Sequence, residues 1–187
     1  MALPVLFYPM RCCLFALLLI SCSQKPGPLS FAGDIAFLAE HTDVRILEAG
    51  TGQVAVCPEL QGRVMTSTLG DREPGLGFIG RRFIQNPNSK ERFHNHGGEE
   101  RFWVGPESGP FSFFFQPGEV HSRDLWKVPK DLDKGVFDVL AGGDDFLLLE
   151  RQVELTNLLG FSFSMHVTRG IKVPTLDEIE EVFGPLP

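Results

Sequence analysis

The sequence predicts a mainly β protein, an antiparallel β-sandwich with few short helices, and three observations support this fold class. From about residue 44 onward, most apolar residues fall in short runs rich in Val, Leu and Phe, as is typical of strands. Glycine-containing turns separate several of these runs, and Gly50-Thr51-Gly52 has the form of a tight hairpin loop. Helical spacing of apolar residues is confined to two short stretches, which lie before the first strand and after the last one.

The elements can be assigned in chain order. Ser30 is a suitable N-cap for a short helix that runs to about His41. The strands that follow are predicted at residues 44–47, 53–57, 63–69, 101–104, 111–115, 136–140, 145–153 and 161–173. A last helix begins at a capping box in residues 175–178 and ends before Gly184-Pro185.

Residues 1–21 have the pattern of an export signal. Arg11 precedes the apolar run 12–20, which is too short to cross a bilayer as a helix and has the length of a signal-peptide core. The run ends in Leu19-Ile20-Ser21-Cys22, which resembles the lipobox of bacterial lipoproteins, in which a diacylglycerol is attached to the cysteine. The resemblance implies that Cys22 is lipidated, and an ordinary secretory signal cut nearby is the alternative.

The sequence therefore divides into three parts. Residues 1–21 are the predicted signal peptide, residues 22–29 a lipidated tether rich in Pro and Gly, and residues 30–187 a single β-rich domain. We expect the domain to lie outside the cytoplasm of a bacterium, anchored by its lipid to the cell membrane or the outer membrane.

The cysteine count indicates whether a disulfide can form, and the charge narrows the class of possible partners. Of the four cysteines, only Cys57 remains once the signal is removed and Cys22 carries lipid, so we expect no disulfide within the domain. Cys57 follows an apolar run and is predicted to be a small buried hydrophobe. The net charge of −7 and the lack of a basic cluster argue against nucleic-acid binding.

Residues 94–107 carry the densest group of chemically versatile side chains. Two histidines, three glutamates, an arginine and a tryptophan surround a double glycine, which permits close backbone approach. On a strand, Arg101 and Trp103 would share one face, and a guanidinium beside an indole suits a polyhydroxylated ring. An exposed turn that leads to a core strand with a buried Trp is the alternative. The candidate binding residues are His94, His96, Glu100, Arg101, Trp103 and Glu107.

Residues 97–107 resemble the Gly-Gly-x-Arg-x-Trp-x-x-Pro-Glu signature of secreted bacterial proteins in the galactose mutarotase-like (aldose 1-epimerase) superfamily. Residues 56–64, 111–118 and 126–129 are similar to other parts of that family, so the resemblance covers roughly residues 43–170. It implies a carbohydrate-binding β-sandwich in which Arg101 binds sugar hydroxyls and His94 or His96 lies by the pocket, without a cofactor.

The same resemblance implies an incomplete site. The catalytic glutamate of aldose 1-epimerases lies in a region that has no counterpart here, so the chain looks like the N-terminal half of a larger supersandwich. We therefore expect carbohydrate binding without epimerase activity, and the resemblance assigns no catalytic residue. An open sheet edge of such a half would favour self-association.

Two other functions remain open from the sequence. His94, His96 and Glu100, followed by Pro117-Gly118 and His121, are similar to the two metal-binding motifs of cupin enzymes, and such a set would suit Fe, Mn, Zn or Ni. The spacing between the motifs is shorter than cupins normally have, and Leu125 stands where their downstream asparagine is expected. The third possibility is a structural envelope lipoprotein with no small ligand.

Overall fold

The computed structural model describes residues 30–70 and 74–185, so the predicted signal peptide, Cys22 and the tether lie outside the described residues. Helices are α1 (Phe31–Ala39), α2 (Arg81–Gln85), α3 (Lys130–Asp133) and α4 (Leu176–Phe183), with a 3-10 turn at Pro58–Leu60. Strands are β1 (Arg45–Ala49), β2 (Gly52–Cys57), β3 (Arg63–Thr68), β4 (Asp138–Gly142), β5 (Phe146–Thr156) and β6 (Ser162–Lys172).

The strands form two three-stranded antiparallel sheets, in the orders β1-β2-β3 and β4-β5-β6. The β1–β2 hairpin turns at Gly50, whose φ of +61° suits glycine. The β5–β6 pair is the longest ladder and runs from Phe146 opposite Lys172 to Thr156 opposite Ser162. The predicted fold class, mainly β with antiparallel sheets in a sandwich-like arrangement and few short helices, is therefore confirmed.

The two sheets meet in an apolar core. Leu47 and Val56 of the first sheet pack with Leu147 and Leu149 of the second, and Phe137 completes this cluster at 2% exposure. Burial alternates along most of β5, as expected for a strand with one face on the core and one in solvent. Leu147 and Leu149, on the inward face of β5, therefore belong to the core between the two sheets.

Helix α1 covers the first sheet on the side opposite the second sheet. Its N-cap Ser30 accepts a hydrogen bond from the backbone N–H of Gly33, as the sequence predicts. Phe37 and Leu38 pack against buried Cys57, and burial raises the pKa of that thiol to about 12. The prediction that Cys57 is a buried apolar residue is confirmed, and its thiol stays protonated at neutral pH.

The predicted strands at residues 101–104 and 111–115 are wrong, because both stretches lie in a long irregular segment of residues 86–129. Just before the first of these stretches, the backbone N–H of Gly98 donates to the carbonyl of Phe78, and that of Glu99 donates to the carbonyl of Val64. Phe114 and Phe115 are both buried in one apolar cluster, whereas neighbouring residues of a strand would point to opposite faces. Helices α2 and α3 are additions that the sequence analysis did not predict.

The capping box of α4 is confirmed, with Thr175 accepting from the backbone N–H of Glu178 and Glu178 accepting from that of Thr175. The sequence predicts an apolar face on this helix, but Val182 and Phe183 are 73% and 79% exposed. Self-association through such a surface stays a prediction. Among the described residues, no helix is long and apolar enough to cross a membrane.

We predict that Phe137→Ala lowers the free energy of unfolding by about 3–5 kcal/mol, because it opens a cavity where the two sheets meet. Phe183→Ala, which removes the same ring from an exposed site, should change it by less than about 0.5 kcal/mol. Urea unfolding followed by fluorescence measures both values. Equal effects of the two substitutions would contradict the assignment of Phe137 to a shared core.

Candidate functional site

At the double glycine, the irregular segment passes very close to the first sheet and to the loop that follows it. Gly97 and Gly98 have φ values of +86° and +100°. A Cβ at Gly97 would lie 1.9 Å from the carbonyl oxygen of Phe78, and one at Gly98 would lie 2.9 Å from that of Val64. Glycine is therefore required at both positions for the backbone to pass this closely.

Arg101 and Trp103 lie together although neither is on a strand. The guanidinium carbon of Arg101 is 3.8 Å from the Trp103 ring centre and 5.0 Å from that of Phe93. The indole N–H of Trp103 donates to Oε1 of Glu107 at 2.8 Å, which fixes the ring on its exposed side. This cation–π stack fixes the position of the guanidinium. Among the described residues, no acceptor is hydrogen-bonded to Arg101.

Arg101 borders an open cavity of about 230 Å³, which we call the arginine cavity. Its lining residues are Phe78, Asn95, Gly97, Gly98, Glu99, Glu100 and Arg101. Phe78 is 66% exposed, so its ring is accessible from the cavity. The cavity thus combines an aromatic face with an amide, carboxylates and a guanidinium.

The two glutamates of the arginine cavity are both anchored. Glu99 accepts hydrogen bonds from the backbone N–H of Ser67 at 2.7 Å and from its hydroxyl. Glu100 forms an ion pair with Arg169 of β6, which also donates to the carbonyl of Gly62 at 3.2 Å. These contacts keep the carboxylates in fixed orientations, since each is tied to a sheet.

A fully buried arginine lies beneath this cavity. Arg63 donates to Oε1 of Gln61 from Nε and Nη2, at 3.1 and 2.6 Å, and to the carbonyl of Gly97 at 2.7 Å. No carboxylate in the described part of the chain lies within ion-pair distance of it. Burial, with a smaller effect of Arg101, lowers the pKa of Arg63 to about 10, so it is charged at neutral pH.

His94 is held by a carboxylate from α3. Asp133 accepts the backbone N–H of His94 at 2.8 Å with Oδ1, and Nδ1 of His94 at 2.6 Å with Oδ2. On the other side of the ring, Nε2 lies 2.9 Å from the hydroxyl oxygen of Ser89 and 3.0 Å from its carbonyl oxygen. His94 and Asp133 are 3% and 5% exposed, so this dyad is almost excluded from water.

His96 stacks on His94 but has different surroundings. The two rings are 5.9 Å apart with an interplanar angle of 23°. His96 is 3% exposed, and its Nδ1 has no hydrogen-bond partner among the described residues. Burial, then the charge of Arg63, lowers the pKa of His96 to about 4, so the ring is neutral at physiological pH.

A larger cavity of about 660 Å³ lies on the Ser89 side of His94, and we call it the lysine cavity. Ser89, His94 and Asp133 line it, together with four lysines. The sequence analysis identified His94 but missed Ser89 and Asp133. Ser89 is one of many loop serines, and Asp133 lies 39 residues beyond His94, so no local pattern connects the three.

The residues predicted to bind together fall in two places. Glu100 and Arg101 line the arginine cavity. The Trp103 ring stacks on the guanidinium of Arg101, and Glu107 accepts a hydrogen bond from the Trp103 indole. His94 is instead directed to the lysine cavity.

The cupin set is not assembled. Both ring nitrogens of His94 are occupied, Glu100 pairs with Arg169, and Nε2 of His121 lies 2.9 Å from the carbonyl oxygen of Gly109. No group of three or more metal-binding side chains occurs in residues 30–70 and 74–185. The geometry therefore does not support the metal-dependent alternative.

Fold and site together define a mainly β, sandwich-like protein with an irregular segment that carries two cavities. The chain belongs to a family of unknown function, DUF6786, whose match covers residues 29–185. No curated protein and no solved structure matches the chain significantly. Both cavities lie inside the matched region.

We predict that the stability of the protein falls as pH decreases through the titration range of His96. The pKa of His96 is about 4 when folded and near 6.5 when unfolded, so between these values the unfolded state binds more protons. The loss should reach about 3 kcal/mol at most.

His96→Phe keeps the ring bulk and should remove this part of the pH dependence, whereas His166→Gln, which changes an exposed histidine, should not. The measurement is the free energy of unfolding in urea from about pH 7 to about pH 4. A pH dependence of His96→Phe equal to that of the unsubstituted protein would contradict the burial of a neutral imidazole.

Proposed function

We propose that this protein is a lipid-anchored, extracytoplasmic carbohydrate-binding protein whose ligand occupies the arginine cavity. The observation that carries the proposal is the Arg101 guanidinium, held on the Trp103 ring at 3.8 Å without a hydrogen-bond acceptor among the described residues. Its N–H groups are oriented by the stack but remain unused, as in a site that awaits oxygen atoms of a ligand.

The remaining lining suits a sugar better than a hydrocarbon or an anion. The exposed ring of Phe78 offers a face for the C–H groups of a pyranose, and Asn95 offers both a donor and an acceptor. Glu99 and Glu100 can accept hydrogen bonds from hydroxyls, and their charge disfavours an anionic ligand. A cavity of about 230 Å³ is sufficient for about one sugar ring, and its openness leaves room for a longer chain.

The resemblance of residues 97–107 to mutarotase-like proteins supports the same ligand class. Mutarotation needs two groups that exchange protons with the ring oxygen and the anomeric hydroxyl. Glu99 and Glu100 are engaged by Ser67 and Arg169, and His94 and His96 are buried and do not line the arginine cavity. We therefore propose that the protein binds a sugar without epimerising it. The alternative of a structural lipoprotein makes no use of the open cavity.

The binding proposal is tested with Arg101→Ala, which should weaken sugar binding by about 10- to 100-fold, the usual effect of losing hydrogen bonds from a charged donor. Arg82→Ala removes an arginine that is 70% exposed and pairs with Glu91, so it is the matched control. Isothermal titration of the full chain in detergent with galactose, glucose and their oligosaccharides measures the affinity.

Thermal unfolding of both variants without sugar shows whether folding is intact. Unchanged sugar affinity in a folded Arg101→Ala protein would contradict the proposed site. If the unsubstituted protein bound none of the sugars tested, the structural-lipoprotein alternative would replace the binding proposal.

The localisation proposal is tested with Cys22→Ser. Loss of the only proposed acyl-bearing side chain should release the protein from membranes into the soluble extracytoplasmic fraction. Cys57→Ser, which changes the buried cysteine of the domain, should leave the membrane fraction unchanged. Fractionation of cells after a salt wash measures the distribution, and membrane retention of Cys22→Ser would contradict a lipid anchor at this residue.

A further inference from the structure

Ser89, His94 and Asp133 form a line of hydrogen bonds at the wall of the lysine cavity. Asp133 Oδ2 lies 2.6 Å from Nδ1 of His94, and Nε2 of His94 lies 2.9 Å from the hydroxyl oxygen of Ser89. The order of carboxylate, imidazole and hydroxyl, with the two ring nitrogens used on opposite sides, is the arrangement that activates a serine nucleophile.

The proton positions follow from the partners. A carboxylate only accepts, so Nδ1 of His94 is the donor to Asp133, and in the tautomer with its proton on Nδ1 alone the ring presents a lone pair at Nε2. A carbonyl oxygen cannot donate to that lone pair, so the hydroxyl of Ser89 is the group that donates to it. Asp133 also accepts the backbone N–H of His94, and this second bond fixes the ring relative to α3.

The loop that carries Ser89 is itself anchored. The backbone N–H of Ser89 donates to the carbonyl of Asn86 at 3.1 Å, and the ammonium of Lys134 donates to the carbonyl of Pro87. The next backbone N–H, that of Lys90, has no acceptor among the described residues. An N–H directly after the nucleophile is a common donor to the oxyanion of an acyl-transfer reaction.

We propose that Ser89 is the nucleophile of an ester hydrolase site in the lysine cavity, with His94 as the general base and Asp133 as its positioning residue. In the first step, the Ser89 hydroxyl gives its proton to Nε2 of His94 while its oxygen bonds to the ester carbonyl carbon. The bond between the carbonyl carbon and the alkoxy oxygen then breaks. The leaving oxygen takes the proton from Nε2 and departs as an alcohol. Water then gives a proton to Nε2 while its oxygen bonds to the acyl carbon, the bond between that carbon and Ser89 Oγ breaks, and Nε2 returns the proton to Oγ, which frees the carboxylic acid and restores Ser89.

The charges around the cavity indicate the substrate class. Its four lysines are Lys90, Lys127, Lys130 and Lys134. The carboxylates that line it are Glu91, Asp133 and Glu154, so the cavity wall carries one more cation than anions. A volume of about 660 Å³ with an excess of cations suits a small ester whose acyl group carries a negative charge.

The test uses the full chain in detergent with two chromogenic esters of similar size, the anionic 4-nitrophenyl hemisuccinate and the neutral 4-nitrophenyl butyrate. The unsubstituted protein should hydrolyse the hemisuccinate with a kcat/KM at least about fivefold above that for the butyrate. A fluorophosphonate probe should label Ser89, located by peptide mass spectrometry.

Ser89→Ala should lower kcat/KM by at least about 100-fold and abolish labelling. Asp133→Asn should lower kcat with little change in KM, because it misorients His94 without removing a contact to the ester. Ser122→Ala, a loop serine outside the lysine cavity, is the matched control and should keep full activity. Thermal unfolding shows that each variant is folded.

Two results would overturn the proposal. One is a folded Ser89→Ala protein that hydrolyses the hemisuccinate as fast as the unsubstituted protein. The other is an unsubstituted, folded protein that neither hydrolyses an ester nor reacts with the probe. A preference for the butyrate would overturn the assignment of an anionic substrate. Sugar binding in the arginine cavity involves neither Ser89 nor Asp133, so these outcomes are independent of the binding proposal.

Discussion

The buried guanidinium of Arg63 is the constraint on which the rest of this structure depends. It lies on β3 at 0% exposure, with oxygen atoms of Gln61 and Gly97 as its partners and no carboxylate at ion-pair distance among the described residues. A charge in such surroundings is tolerated only when its hydrogen bonds are kept, because an unmet donor of a buried cation is costly. The chain around it is therefore held to one arrangement.

The connections of this cation reach both cavities. Gln61 accepts from Arg63 and donates through its amide to the carbonyl of Leu132, and its own backbone N–H donates to Gly135 at 2.7 Å. These bonds fix α3 next to the first sheet. Asp133, which follows Leu132 in α3, binds His94. On the other side, Gly97 is fixed by Arg63, and the chain continues to the arginine cavity. One buried polar network thus orients the lysine cavity and the arginine cavity, although residues 86–129 contain no strand.

Local rules predict the parts of this protein that depend on local interactions. The β1–β2 hairpin, the strands β5 and β6, the N-cap at Ser30 and the capping box of α4 were all predicted, since apolar runs, glycine turns and caps act within a few residues. The strand predicted at residues 101–104 is absent, and the residues just before it, Gly98 to Glu100, bond to Phe78 and Val64, which are distant in sequence.

The candidate site shows the same division. The spacing of Arg101 and Trp103 led to the expectation that they lie side by side, and they do, although a cation–π stack and not a strand face brings them together. Ser89 and Asp133 could not be connected with His94 from one sequence, because an irregular loop five residues before His94 supplies the first and a helix 39 residues after it supplies the second. Their roles, like those of the arginine cavity, remain proposals that rest on geometry.

The most direct test of this account is amide hydrogen exchange of the unsubstituted protein, read residue by residue. If the buried network holds the irregular segment rigidly, the amides of His94, Gly98 and Glu99 should be protected to within roughly tenfold of those of Leu149 and Val153 in β5. Exchange of these three amides at the rate of an exposed loop, with β5 still protected, would contradict the account.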